Sequence, residues 1–157
     1  MQNRMKMNQL NKEEIENLLK RTETGSLATI NEDGGPYVIP VHFVYYEDSI
    51  FVHSLPKGKK LDNIKVNPNI CLSIYEMQGL LLDSKENPCD TNTKYESVVI
   101  FGKATLLEDV SMKETILKEI IKKYTPNLIS REIPENMLKG TAVTKIEIKE
   151  ITGKYYK

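Results

Sequence analysis

The run from residue 26 to 46, SLATINEDGGPYVIPVHFVYY, leaves this chain little freedom in how its fold begins. Asp33-Gly34-Gly35 sits between two stretches rich in β-branched and aromatic residues, 26–31 and 37–46. Glycine supplies the positive φ that tight hairpin turns need, so the two stretches are expected to pair antiparallel. The second stretch is apolar at nearly every position, which predicts a strand covered on both faces. Pro40 interrupts it. Proline has no N–H to give to a ladder, so an edge strand, a bulge or a ligand is expected there.

The next constraint is the run 50–68, IFVHSLPKGKKLDNIKVNP. Ile50, Phe51 and Val52 read as a strand, which breaks at Ser54-Leu55-Pro56. Lys57-Gly58-Lys59-Lys60 then opens a helix whose apolar face carries Leu61 and Ile64, and Asn67-Pro68 closes it. Lysines in a first turn oppose the partial positive charge of a helix N-terminus. Two readings are open. The turn is a solvated basic helix start, or an anion such as phosphate sits among the lysines and the free amides.

Elsewhere, Asn11 and Glu14 form a capping box for a helix over 11–21 with Ile15, Leu18 and Leu19 as its stripe. Strands are expected at 69–76, 95–107 and 141–148, with Gly102 marking a bend or close approach. The strongest amphipathic helix is 110–124, on which Ile116, Leu117, Ile120, Ile121 and Tyr124 share a face. Residues 77–94 carry Gly79, Pro88, Cys89, Asp90 and Asn92 and read as an irregular loop. The last residues, from 150 to 157, read as a tail. The pattern is one domain over 1–157, led by an N-terminal helical segment (1–24). It is a mainly β, α+β architecture: antiparallel strands curled into a closed or nearly closed barrel with helices packed around it.

Lys+Arg and Asp+Glu are equal at 22 each, so no net field recruits nucleic acid or an acidic membrane surface. No apolar run has transmembrane length, and the first residues lack the apolar core of a signal peptide. Cys71 and Cys89 are too few for a disulfide framework and lack zinc-site spacing. The expectation is a soluble cytoplasmic protein that does not bind nucleic acid, membrane or metal.

Four motifs now stand in one order: SLATINEDGGPYVIPVHFVY, IFVHSLPKGKKLDNIKVNPNICLSI, YESVVIFGKATLLED and KIEIKEITGK. In this the chain resembles the FMN-binding split β-barrel superfamily of pyridoxamine phosphate oxidase, and within it the nitroimidazole-resistance (Nim-type) branch. The resemblance covers residues 25–154. It implies a homodimer with FMN at the subunit interface. It matches Ile39, Pro40, Val41 and His42 to one flavin-contacting strand and Val52, His53 and Ser54 to a second. Lys59 and Lys60 match the phosphate-binding basic pair, and Ser97 a position supplied by the partner subunit. Two departures argue against vitamin B6 oxidation. The oxidases carry an arginine where this chain has Ile39, and a basic C-terminal segment that ITGKYYK does not match.

Among the single residues, His53 is the one candidate for acid–base work, because an imidazole titrates near neutrality. Its alternative is a hydrogen-bonded barrel histidine. His42 is expected to pack or to cap a polar ligand edge, Cys71 to fill the core, and Cys89 to lie in a polar loop. Tyr45, Tyr46 and Tyr75 are expected to pack, with Tyr95 the best stacking candidate. Ser97 has no base near it in any motif. Two functions follow. One is an FMN-dependent oxidoreductase that reduces a small, flat electron acceptor such as a nitro-compound. The other is a non-catalytic module that binds flavin (FMN or FAD) or haem. No GxGxxG run identifies a nucleotide electron donor.

Overall fold

The computed structural model describes residues 7–85 and 87–157; residues 1–6 of the expected N-terminal segment and Glu86 of the expected loop lie outside it. Helix α1 (Lys12–Arg21) starts at the capping box: the Asn11 side chain accepts from the Glu14 amide, and the Glu14 carboxylate accepts from the Asn11 amide. Strands β1 (Thr24–Ile30), β2 (Pro36–His42), β3 (Val44–Tyr46) and β4 (Ser49–Ser54) follow, then helix α2 (Lys59–Val66) and strands β5 (Asn69–Leu81) and β6 (Asn92–Leu106). Helix α3 (Val110–Tyr124), the short helix α4 (Glu135–Gly140) and β7 (Ala142–Tyr156) complete the chain.

The seven strands form one antiparallel sheet in the order β2-β1-β5-β6-β7-β4-β3. The expected hairpin is β1–β2, with Leu27 opposite Ile39. The sheet is curled but not closed: no ladder joins β2 to β3 or β4 among the described residues, although β2 and β4 approach at the seam. Pro40 therefore lies on an edge strand, one of the places where a missing N–H costs nothing. Inside the curl, Leu18 and Leu19 of α1 pack with Leu27, Phe43, Ile50, Val52, Leu72, Ile74, Ile100 and Ile146. Burying such a side chain stabilises the fold by about 1.5–3 kcal/mol. On the other side of the β4–β7 pair, Phe51 and Val143 pack against Ile116, Leu117 and Ile120 of α3 and Leu138 of α4.

Four expectations are corrected. The strand read over 37–46 is two strands, broken at Phe43. The Phe43 N–H donates to the Tyr124 hydroxyl (2.9 Å), and its carbonyl accepts from that hydroxyl (2.8 Å) and from Lys123 Nζ (3.0 Å), so its backbone leaves the ladder. Nor is β2 covered on both faces: Tyr37, Ile39 and Val41 turn inward while Val38, Pro40 and His42 are exposed. The loop read over 77–94 is mostly strand. Residues of β5 and β6 stay paired out to Leu81 and Asn92, across a bulge between Met77 and Gly79. The tail from Ile151 onward belongs to β7, which pairs with β6 as far as Tyr156 opposite Tyr95. It is held from outside: Leu10 donates to the Gly153 carbonyl, and Tyr155 to that of Asn8, each at 3.0 Å.

Candidate functional site

Helix α2 begins later than the lysine run suggests. Gly58, at φ 140°, is its N-cap, a conformation that side-chain-bearing residues rarely adopt. Only Lys59 and Lys60 lie in the first turn, with Lys57 outside the helix. Gly58 offers no capping side chain; its carbonyl accepts from the amides of Leu61 (2.9 Å) and Asp62 (3.2 Å), which leaves the amides of Lys59 and Lys60 as the unpaired ones of the first turn. The helix is fixed from beneath. Leu61 and Ile64 are buried, and the buried Asn63 amide donates to Thr29 Oγ1 and Asn31 Oδ1, both at 3.0 Å.

The two lysines differ. Lys60 is half-buried, burial pushes its ammonium below the usual lysine range, and it has no carboxylate partner among the described residues. Lys59 is exposed, lies 5.4 Å above the Tyr37 ring, and shares a shallow depression with Glu32, Asp33 and Asp62. A half-buried cation beside unpaired amides suits an anionic group such as phosphate.

His53 is the next-to-last residue of β4. Burial lowers its pKa first, then the charge of His42, then that of Lys60. Its Nδ1 is buried with no hydrogen-bond partner. His42, at the end of β2, stacks on the Tyr124 ring. Pro40 is exposed beside it, and the Ser54 hydroxyl donates to the Leu55 carbonyl at 3.0 Å. Val41 and Val52 belong to the inner core, and Ile39 is partly buried against it. The sequence did not mark Tyr124 as part of the site. It reads there as one more residue of an apolar helical face.

Ser97 is not with these residues. It pairs with Lys154 on β7, whereas His53 pairs with Val143. Eleven residues separate those two partners, on the order of 36 Å of extended strand. The Ser97 hydroxyl is buried and without a partner. Cys71 is half-buried on β5, and burial pushes its thiol up; Cys89 is exposed. Among the described residues no three His, Cys, Asp or Glu side chains gather as a metal site, and no helix is long and apolar enough to cross a membrane.

No curated protein matches the chain in sequence. Solved structures do match in fold. A candidate 5-nitroimidazole antibiotic resistance protein from Bacteroides thetaiotaomicron superposes with a TM-score of 0.80 at 26% identity, over 93% of this chain and 85% of that one. The flavocytochrome Anf3 from Azotobacter vinelandii gives 0.81 at 22% identity, over 94% and 68%. The FAD and heme binding protein from Mycobacterium smegmatis gives 0.86 at 17% identity, over 96% and 74%. The seven-stranded antiparallel sheet and the ordered motifs agree with a family model that matches residues 11–155, and by that match the chain belongs to the pyridoxamine 5'-phosphate oxidase family.

Proposed function

We propose that the protein is a homodimeric, FMN-dependent oxidoreductase that reduces a small, flat electron acceptor of the nitro-compound class. The observation that carries this reading is Lys60: a half-buried ammonium without a counter-charge, at a helix start whose Lys59 and Lys60 amides are unpaired, with its charge felt at His53. Lys60 and the first amides of α2 would hold the cofactor phosphate, with Lys59 contributing at longer range. His42, Pro40, His53 and Ser54 would border the ring system, and the orphaned Nδ1 of His53 would gain a polar partner there. Bound in this place, a flavin supplies hydride or electron transfer. The chain orients it and excludes water. His53 is neutral at pH 7, because burial and the neighbouring cation disfavour its charged form. It can therefore accept a proton from, or pass one to, a reduced acceptor.

If Ser97 takes part in the site, as the family resemblance implies, two chains form it, because Ser97 lies far along the sheet from its own His53. The outward face of β5–β6 around Ser97 carries Tyr75 and Phe101, both about half exposed. An apolar sheet face of this kind is suited to a second copy. Free Cys71 and Cys89 fit a reducing, cytoplasmic setting. The relatives named for nitroimidazole resistance and for flavin and heme binding agree with a redox cofactor and a nitro acceptor. Oxidation of pyridoxamine phosphate is not part of this reading. The Ile39 side chain packs against the core and offers nothing to a substrate phosphate. Aerobic incubation with pyridoxamine phosphate is expected to form no pyridoxal phosphate above background; robust formation would contradict this.

The deciding experiment is spectroscopic. Protein reconstituted with FMN should be yellow, bleach with dithionite, reoxidise in air and sediment at twice the 18.0 kDa chain mass. Under anaerobic conditions it should then oxidise NADH or NADPH only when a nitroimidazole is supplied. A Soret band with no flavin uptake would overturn the reading in favour of a haem module. FMN held by a monomer would overturn the shared site.

A further inference from the structure

Two consecutive residues at the end of α3 hold two consecutive residues at the β2–β3 break. Tyr124 stacks on His42, and Lys123 holds Phe43. The Lys123 ammonium donates to three backbone carbonyls: Thr22 at 2.7 Å, Leu19 at 3.0 Å and Phe43 at 3.0 Å. Leu19 lies in the last turn of α1 and Thr22 is its C-cap, where carbonyls lack intrahelical donors. A positive charge there also meets the negative end of the helix dipole. The third carbonyl belongs to the residue at which the strand breaks.

This arrangement needs the charged amine. An ammonium has three N–H donors, one for each carbonyl, whereas a neutral amine has two and a lone pair. The same Nζ lies 4.0 Å from the centroid of the Phe43 ring, an attraction that is lost with the charge. Tyr124 is no full substitute. Its single O–H is divided between the carbonyls of Phe43 (2.8 Å) and Glu23 (2.6 Å), whereas Lys123 brings a separate N–H for Phe43.

We propose that Lys123 is a charged latch that positions His42: its ammonium ties α3 to the end of α1 and to Phe43, and the His42 side of the candidate site is set by that tie. Lys123 acts through Phe43 and is a positioning residue. The latch opens within an accessible pH range. Burial pushes Lys123 down to about 8, and the charge of Glu23 offsets this only in part. The other titratable or charged groups around it are Lys20 on α1, His42 at the end of β2, Tyr45 on β3, and Glu119, Lys122 and Tyr124 on α3. Burial raises both phenols, so Lys123 loses its proton before either tyrosine. One carbonyl then loses its donor, and the hold on Phe43 and His42 weakens. The effect on a cofactor rests on the proposed flavin site; the coupling of Lys123 to His42 does not.

NMR titration of the full-length chain tests the coupling without a cofactor. The Lys123 Cε signal should titrate with a midpoint near 8. The His42 ring signals should shift through the same window, in wild type and in Lys60→Met, which removes another lysine whose range burial lowers. Lys123→Arg keeps its charge and should abolish that shift. A Lys123 that titrates only in the ordinary lysine range would overturn the pH dependence, and a His42 that does not follow it would overturn the latch. Lys123→Met removes the latch at every pH. It should raise the pKa of His53, because the opposing charge of His42 is no longer held near it. Ile120→Ala, which weakens α3 through its buried core, should not. Equal shifts in the two variants, or none in either, would reduce Lys123 to a structural contact. With binding confined to the latched form, FMN affinity should be about tenfold weaker one pH unit above the midpoint than one unit below it. A fall that persists in Lys123→Arg would overturn the latch's effect on the cofactor and assign the fall to Lys60. Absence of FMN binding at any pH would overturn the flavin site and leave the histidine result standing.

Discussion

The imidazole of His42 lies stacked on the ring of Tyr124, with centroids 4.6 Å apart and planes 18° from parallel. His42 is the last residue of β2 before the break at Phe43, and the Tyr124 hydroxyl of α3 is what makes the break possible. It accepts from the Phe43 amide, and its single O–H has two carbonyl acceptors in reach, Phe43 at 2.8 Å and Glu23 at 2.6 Å. One side chain therefore ends β2 and sets the orientation of His42. Removing only the hydroxyl separates these roles. Tyr124→Phe should cost about 1–3 kcal/mol, because a partly buried N–H loses its acceptor, and the Tm should fall by several degrees. Its ring keeps the stack, so FMN affinity should hold. Tyr124→Ala should lose both. Urea denaturation with a parallel FMN titration checks this, and a Tyr124→Phe variant as stable as wild type would refute the assignment.

His53 gives the pH dependence. Burial, His42 and Lys60 all lower its pKa below the ordinary 6.5. Between 6.5 and the lowered folded value, the unfolded chain binds more protons than the folded one. The contribution is therefore fully present above 6.5 and is lost as pH falls through that window. Stability should decline on acidification below 6.5, and His53→Asn should flatten this part of the profile. Following His53 by NMR, both His42→Asn and Lys60→Met should move its pKa upward, since each removes a charge that opposes the imidazolium. No movement in either variant would mean that the three groups are not neighbours in solution.

Much of the frame was legible because local chemistry decided it. The hairpin at Asp33–Gly35, the capping box of α1, the helix after residue 58 and the amphipathic α3 all follow from residues close in sequence. The errors share one cause. Phe43 leaves its strand because of Tyr124 and Lys123, some eighty positions later. The tail is a strand because Leu10 and Asn8 hold it. The ribbon around Gly79 looked like a loop because glycine and polar residues mark bulges and turns alike. Within the site, the lysines, His42 and His53 stood out as motif residues. Neither Tyr124 nor the inward turn of Ile39, Val41 and Val52 could be seen before the strands were paired.

Gly102 was legible as a close approach, and its geometry makes a sharp prediction. A Cβ there would stand 2.5 Å from the Glu147 carbonyl oxygen and 2.9 Å from Ile146 Cγ2, next to the register shift between Phe101 and Gly102. Backbone cannot yield as a flexible side chain does. Gly102→Ala should push β7 from β6 and cost about 1–3 kcal/mol, the range for overpacking. Gly140→Ala, where the new Cβ meets nothing within 4 Å, is the control. Equal stability of the two variants would show that the strands separate freely there.

The lysines of α2 carry the final prediction, and the structure makes them unequal. Lys60 is half-buried without a counter-charge, whereas Lys59 is exposed among Glu32, Asp33 and Asp62. If Lys60 holds the cofactor phosphate, a charge-assisted contact of about 1.5–3 kcal/mol is lost in Lys60→Ala, and FMN affinity should fall roughly ten- to a hundredfold. Lys59→Ala should cost less, because its charge is already partly balanced by its neighbours. Lys57→Ala, outside the helix and exposed, should change little. Riboflavin lacks the phosphate, so its affinity should barely respond to any of the three. Titration of apo protein with FMN and with riboflavin reads all of these at once. Equal losses for the two ligands in Lys60→Ala would mean that Lys60 supports the fold and not the phosphate. No loss for either would mean that the basic turn is only a solvated helix start.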